Sequence, residues 1–148
     1  MIRYVISLLL FLAGILFIVF MSGSSILSII DMPSFIAVGI VPFLFVSILF
    51  GFGNMASAFS TAVKKEAEKD KLLKAVEFFN FYGKLTWITG TIAVIVGIIG
   101  ILANLDDEAR MGPNVALTLV SILYCGIINV MVVLPFTILL KKQLADKG

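Results

Sequence analysis

Residues 85–105 read LTWITGTIAVIVGIIGILANL, twenty-one residues without a single charge. A hydrocarbon core about 30 Å thick is crossed by about 20 apolar residues in a helix. This stretch therefore has the length and composition of a transmembrane span. Three more stretches qualify: 4–21, 35–52 and 115–140. The second has room to run on toward Ala58, and the fourth is long enough to protrude or tilt. The reading is an all-α, polytopic membrane protein with four transmembrane helices. It forms a single membrane domain over 1–148, with a short cytoplasmic helical loop at 53–84.

The composition agrees. Of 148 residues, 61% are hydrophobic and 14% charged, against roughly 45–50% and 25% in soluble domains. A soluble domain of this length could not hide that much apolar surface. There is no histidine and one cysteine, Cys125. Histidine-based acid–base or triad catalysis, a multi-cysteine metal site and an intrachain disulfide are all removed. No cofactor is expected. Most lysines sit in one mixed-sign run and not on a basic face with stacking aromatics, so nucleic acid is not an expected partner.

Charge placement gives an orientation. Arg3, Lys64, Lys65, Lys69, Lys71, Lys74, Lys84, Lys141, Lys142 and Lys147 fall on one side of the four spans. Only Arg110, with Asp31, Asp106, Asp107 and Glu108, falls on the other. The excess of Lys and Arg marks the cytoplasmic side, which would hold both termini and the middle loop. The first span has one rival reading as a signal peptide, since Ser22-Gly23-Ser24 resembles a small-residue cleavage site. Its apolar core exceeds the roughly 7–15 residues usual there. From about Ser60 the middle loop reads as a helix, with Lys64/Glu68 and Asp70/Lys74 as i,i+4 pairs. Leu72, Val76 and Phe79 form an apolar stripe leading into the third span. This segment is either a solvated helical extension or a docking surface for a cytoplasmic partner.

Along the third helix, Gly83, Thr86, Gly90, Ala93, Gly97, Gly100 and Asn104 recur at spacings of three and four. They make one stripe of small residues. Lipid supplies little hydrophobic drive between helices, so such a stripe marks close backbone approach. On the fourth helix Asn114, Thr118, Ser121, Cys125 and Asn129 share an arc of about 80°. Pro113 suits a first helical turn, while Pro135 lies inside the helix and predicts a kink near its cytoplasmic end. Two readings of these stripes stand. One is packing within the chain, with Ser, Thr and Asn bonded to backbone. The other is a lining shared by several subunits around a partner helix or a water path. No Asp, Glu, Lys or Arg lies in any span, so this chain has no group there to relay protons.

These residues resemble the MotA/TolQ/ExbB proton-channel family. The resemblance rests on the run from Gly90 through Gly97 to Asn104-Leu105-Asp106-Asp107, then Gly112-Pro113-Asn114-Val115-Ala116, Leu123-Tyr124, and Pro135 before Lys141. Asp31-Met32-Pro33-Ser34 is similar to the start of the second helix in MotA, and two spans before the cytoplasmic loop fit MotA better than TolQ or ExbB. The resemblance implies a bacterial inner-membrane subunit and a homo-oligomer, a pentamer in this family. The ring would surround a single-span partner of the MotB/TolR/ExbD type that carries the proton-binding aspartate. It further implies ion flow coupled to mechanical work, as in a flagellar stator.

Departures from the family pattern fall at telling places. Ala93-Val94 stands where the family has Gly-Thr, Ile122 where the fourth helix has its Thr, and Trp87 where MotA has a proline. Both threonines flank the ion path in the family. The large cytoplasmic domain of MotA is reduced here to 53–84. The expected roles follow. Gly90, Ala93, Gly97 and Gly100 allow close helix packing, and Pro135 sets a bend. Val94, Thr118, Ser121, Ile122, Cys125 and Asn129 face a pore or partner. Asp106, Asp107 and Glu108 draw cations to an outer mouth. The alternative to an ion-coupled subunit is a non-conducting membrane scaffold of the same architecture. An enzyme is not expected, because the spans hold no acid, base or metal cluster.

Overall fold

The computed structural model describes residues 2–23, 25, 29–64 and 67–147. Lys65 and the side chains of Arg3 and Glu108 lie outside what is described. Among the described residues there are helices and turns but no strand. The chain divides into two compact units, Met1–Met32 and Pro33–Gly148. The first carries α1 (Ile2–Met21), an apolar helix. It is closed by bonds from Ser22 N–H to Ile18 O (3.0 Å) and from Gly23 N–H to Phe20 O (3.2 Å). Gly23 has a positive φ, the usual conformation just past a helix end.

The second unit begins within α2 (Met32–Phe35), which continues through a π turn (Ile36–Ile40) into α3 (Val41–Phe50). Gly51 then takes φ 81°, a conformation open to glycine, and breaks the rod. The second helix stops there and does not run on toward Ala58; α4 (Phe52–Val63) is a separate element. Helix in the middle loop thus starts earlier than Ser60. It is interrupted at Lys64, whose backbone is extended, and resumes as α5 (Lys69–Ala103). Lys64 and Glu68 flank that break and share no helix. The ion pair formed is Lys71–Glu68 at 2.9 Å, an exposed contact of small energetic weight. The fourth helix starts at Glu108 in α6 (Glu108–Ile128), ahead of residue 115. It passes through a second π turn (Asn129–Val133) into α7 (Leu134–Ala145). Asp107 caps it, its carboxylate accepting from Ala109 N–H at 3.1 Å. Pro113 consequently sits in the second turn and not the first.

Three helices are long and apolar enough to cross a membrane: Met32–Phe50, Lys69–Ala103 and Ala109–Ala145. A fourth, shorter apolar stretch is Ile6–Met21 of α1. The protein is an all-helical membrane protein with three to four such helices. The 35 residues of α5 extend about 52 Å at 1.5 Å per residue, well beyond a core of about 30 Å. Its Lys69 end leaves the apolar span and is covered by protein instead. There Leu72, Ala75, Phe78, Phe79 and Tyr82 are buried among aromatic rings of α3, α4 and α7. Phe79 stacks on Phe136 with centroids 4.9 Å apart. Phe59 meets Phe79 edge-on at 5.0 Å, and Phe43 meets Tyr82 at 5.5 Å. The Leu72–Phe79 stripe thus faces a core. One face of α5 buries large side chains along this half and small ones along the other, where α6 is its neighbour.

Candidate functional site

The most extensive helix contact in the molecule joins α5 to α6, and glycines set its closeness. A Cβ added at Gly90 would overlap Cys125 Sγ, and one at Gly97 would overlap Thr118 Oγ1. At Gly100 it would lie 2.6 Å from Asn114 Oδ1, and at Gly83 2.9 Å from Asn129 Oδ1. The small stripe of α5 and the mildly polar stripe of α6 therefore face each other within one chain, residue against residue. Ser121 and Cys125 are buried in this seam, and Thr118 and Asn129 are half-buried.

The polar side chains of the seam donate to backbone carbonyls. Thr118 Oγ1 donates to Asn114 O (2.9 Å), Ser121 Oγ to Leu117 O (2.7 Å) and Asn129 Nδ2 to Cys125 O (2.9 Å). Across the seam, Cys125 Sγ donates to Thr86 O at 3.3 Å. These bonds satisfy polar atoms that lipid could not and lock their rotamers. Among the described residues no three His, Cys, Asp or Glu side chains converge as a metal site would require. The seam holds helices together and offers no carboxylate, amine, guanidinium or imidazole.

The remaining expected site residues lie elsewhere. Ala93 is half-buried and lines an apolar groove of about 390 Å³ with Pro33, Ala37 and Thr89. Val94 is half-buried, and Ile122 is 49% exposed on the outer face of α6. The six residues expected to face a pore or partner are thus divided: Thr118, Ser121, Cys125 and Asn129 lie in the seam, and Ile122 is on the exposed side of α6. Pro135 is the second residue of α7, one residue after the π turn. At the α5–α6 turn Asp107 is occupied twice, as helix cap and as the partner of Arg110 (Nε to Oδ2, 3.1 Å). Asp106 is exposed. At the far end of α5, the hydrogen bond and charge of Lys71 hold the exposed Glu68 carboxyl below its usual range.

Two contacts were not anticipated from sequence. Ser121 Oγ lies 3.4 Å from Ser34 Oγ, both residues fully buried, a hydroxyl–hydroxyl contact that ties α6 to α2. Tyr82, 6% exposed, donates its hydroxyl to Gly39 O at 3.3 Å. The only sequence signal for either was a polar group on an otherwise buried face.

No family model matches the chain. Over 85 residues it is 29% identical to the chemotaxis protein PomA of Vibrio alginolyticus, covering 56% of this chain and 34% of that protein. The chain spans about a third of the length of that relative. This distant, partial likeness supports the resemblance to MotA/TolQ/ExbB-like membrane proteins and agrees with a bacterial membrane protein.

Proposed function

We propose that this chain is a MotA/TolQ/ExbB-like subunit of the bacterial inner membrane, with both termini in the cytoplasm. It assembles as a ring, a pentamer, around a single-span MotB/TolR/ExbD-like partner and couples proton or sodium flow to mechanical work. The observation that carries this reading is the α5–α6 pair. It is closed internally by a glycine seam, carries no Asp, Glu, Lys or Arg within 85–105 or 115–128, and leaves broad apolar outer faces, including Ile99, Leu102 and Leu119, for neighbours. A carboxylate that binds and releases the ion would then come from the partner. The chain is not an enzyme in this reading. The test of assembly is cross-linking in membranes of a Cys125→Ser protein carrying Val94→Cys and Ile122→Cys. A ladder of covalent oligomers is expected, since ring contacts join unlike faces of successive subunits. A strictly monomeric protein in lipid defeats the ring.

Non-conducting scaffolding is favoured by a separate observation. Val94 and Ile122 carry no hydroxyl where the family keeps one, and the hydroxyls of Thr118 and Ser121 are engaged by carbonyls of their own helix. Proteoliposome flux with the co-purified partner separates the two. Flux in the natural protein supports coupling. Its absence, unrescued by Val94→Thr with Ile122→Thr, supports a scaffold.

A further inference from the structure

Within the second unit, three helical rods pass the level of Tyr82, and each carries a feature there that weakens helices. In the α2–α3 rod, Val41 N–H donates to Ile36 O, five residues back, and Pro42 follows. In the α6–α7 rod, Leu134 N–H donates to Asn129 O, again five back, and Pro135 follows. The two have one build: a five-residue π turn, one residue, then proline. A proline ring clashes with the carbonyl four residues back, and the wide turn relieves that clash while leaving a point where helices bend. The third rod, α5, has no proline, but its residues 83–91 read GKLTWITGT. Glycine weakens a helix, and Thr86, Thr89 and Thr91 all donate to carbonyls one turn back, at 2.9, 3.0 and 2.9 Å. Bonds of that kind soften and bend helices.

The weak segments also touch one another. Tyr82 bonds to Gly39 O in the first π turn, and Gly83 lies against Asn129 and Val133 of the second. A Cβ at Gly39 would stand 3.2 Å from Ile128 Cδ1. On one side of this level lies the interlocked aromatic core around Phe79 and Phe136; on the other lies the glycine seam. A bend in one helix would be resisted by two stiff neighbours. With all three weak at one height, the bundle can bend as a whole.

We infer that the level of Tyr82 is a transverse joint, across which the aromatic bundle of α3, α4, α7 and the Lys69 end of α5 swings as one body against the α5–α6 seam. The Tyr82 hydroxyl is the clasp that limits the swing. This inference goes beyond the proposed ring and holds whether or not ions pass.

The test uses full-length protein in bilayers, with Cys125→Ser as background and nitroxide labels on cysteines placed at exposed positions. The spin-labelled chain is diluted with unlabelled protein. The pair Leu119→Cys with Ile138→Cys crosses the joint, spanning about 28 Å along the helix. Leu102→Cys with Leu119→Cys reports on the seam half, and Leu73→Cys with Ile138→Cys on the aromatic half. The crossing pair is expected to show a broader distance distribution than either control. Tyr82→Phe is expected to widen it further, and Pro42→Ala with Pro135→Ala to remove the excess width. Equal widths across all three pairs, narrow or broad, overturn the joint. Should the double proline variant not fold, the unaltered protein and Tyr82→Phe still decide.

Discussion

Gly97 carries its meaning through Thr118, the side chain that occupies the space of its missing Cβ. Because both belong to one chain, Gly97→Ala is a test of the protomer and not of the ring. Overpacking of a tight contact typically costs about 1–3 kcal/mol, and that loss is expected in denaturation of the purified protein. Gly112 has nothing near its Cβ position. Gly112→Ala is expected to be neutral or to stabilise by about 0.4–1 kcal/mol, and similar losses at both sites would contradict the seam. Cys125, 1% exposed behind Gly90, should resist a polar alkylating reagent in the folded protein and react once it is denatured. Rapid labelling in the native state would show the seam open. Much of this was legible: the glycines announce themselves by spacing. What stayed hidden is which surface they meet, because a small-residue stripe reads the same whether its partner is a helix of the same chain or of the next one.

At the level of elements, the aromatic core fastens α4 and α7 to α5. Phe79 is fully buried and stacked on Phe136. Phe79→Ala should therefore cost about 3–5 kcal/mol, read as a lower midpoint in a denaturation series. Phe81→Ala, at a half-exposed ring, should cost far less. Equal losses would mean that the two faces of α5 are not differentiated. The spans themselves were legible from their missing charges, and the stripe at Leu72 from its period. The breaks were less so. Gly51 stops a rod whose hydropathy runs on without a pause, and its positive φ leaves no trace in composition. The two π turns follow from proline sterics, yet a proline inside an apolar run predicts a bend without saying which hydrogen bonds it rearranges. Asp107 was read for its charge, and only geometry shows it serving as a helix cap.

For the whole molecule, the orientation proposed from lysine placement can be checked directly. With Cys125→Ser, a cysteine at Lys141 should be reached by a membrane-impermeant reagent only from the cytoplasmic side, and one at Asp106 only from outside. The reverse pattern would overturn the proposed orientation. One feature of the body bears on how such a protein reaches the bilayer at all. Only residues 104–107 separate α5 from α6, and the seam lets the two helices close on each other along their length. They form a hairpin with a tip one turn wide, whose polar groups are largely spent on capping and on the Asp107–Arg110 pair. Short acidic tips oppose translocation little, so in the proposed orientation the insertion machinery would have a single basic residue, Arg110, to carry across near this tip. Biogenesis would then proceed with α5 and α6 entering together.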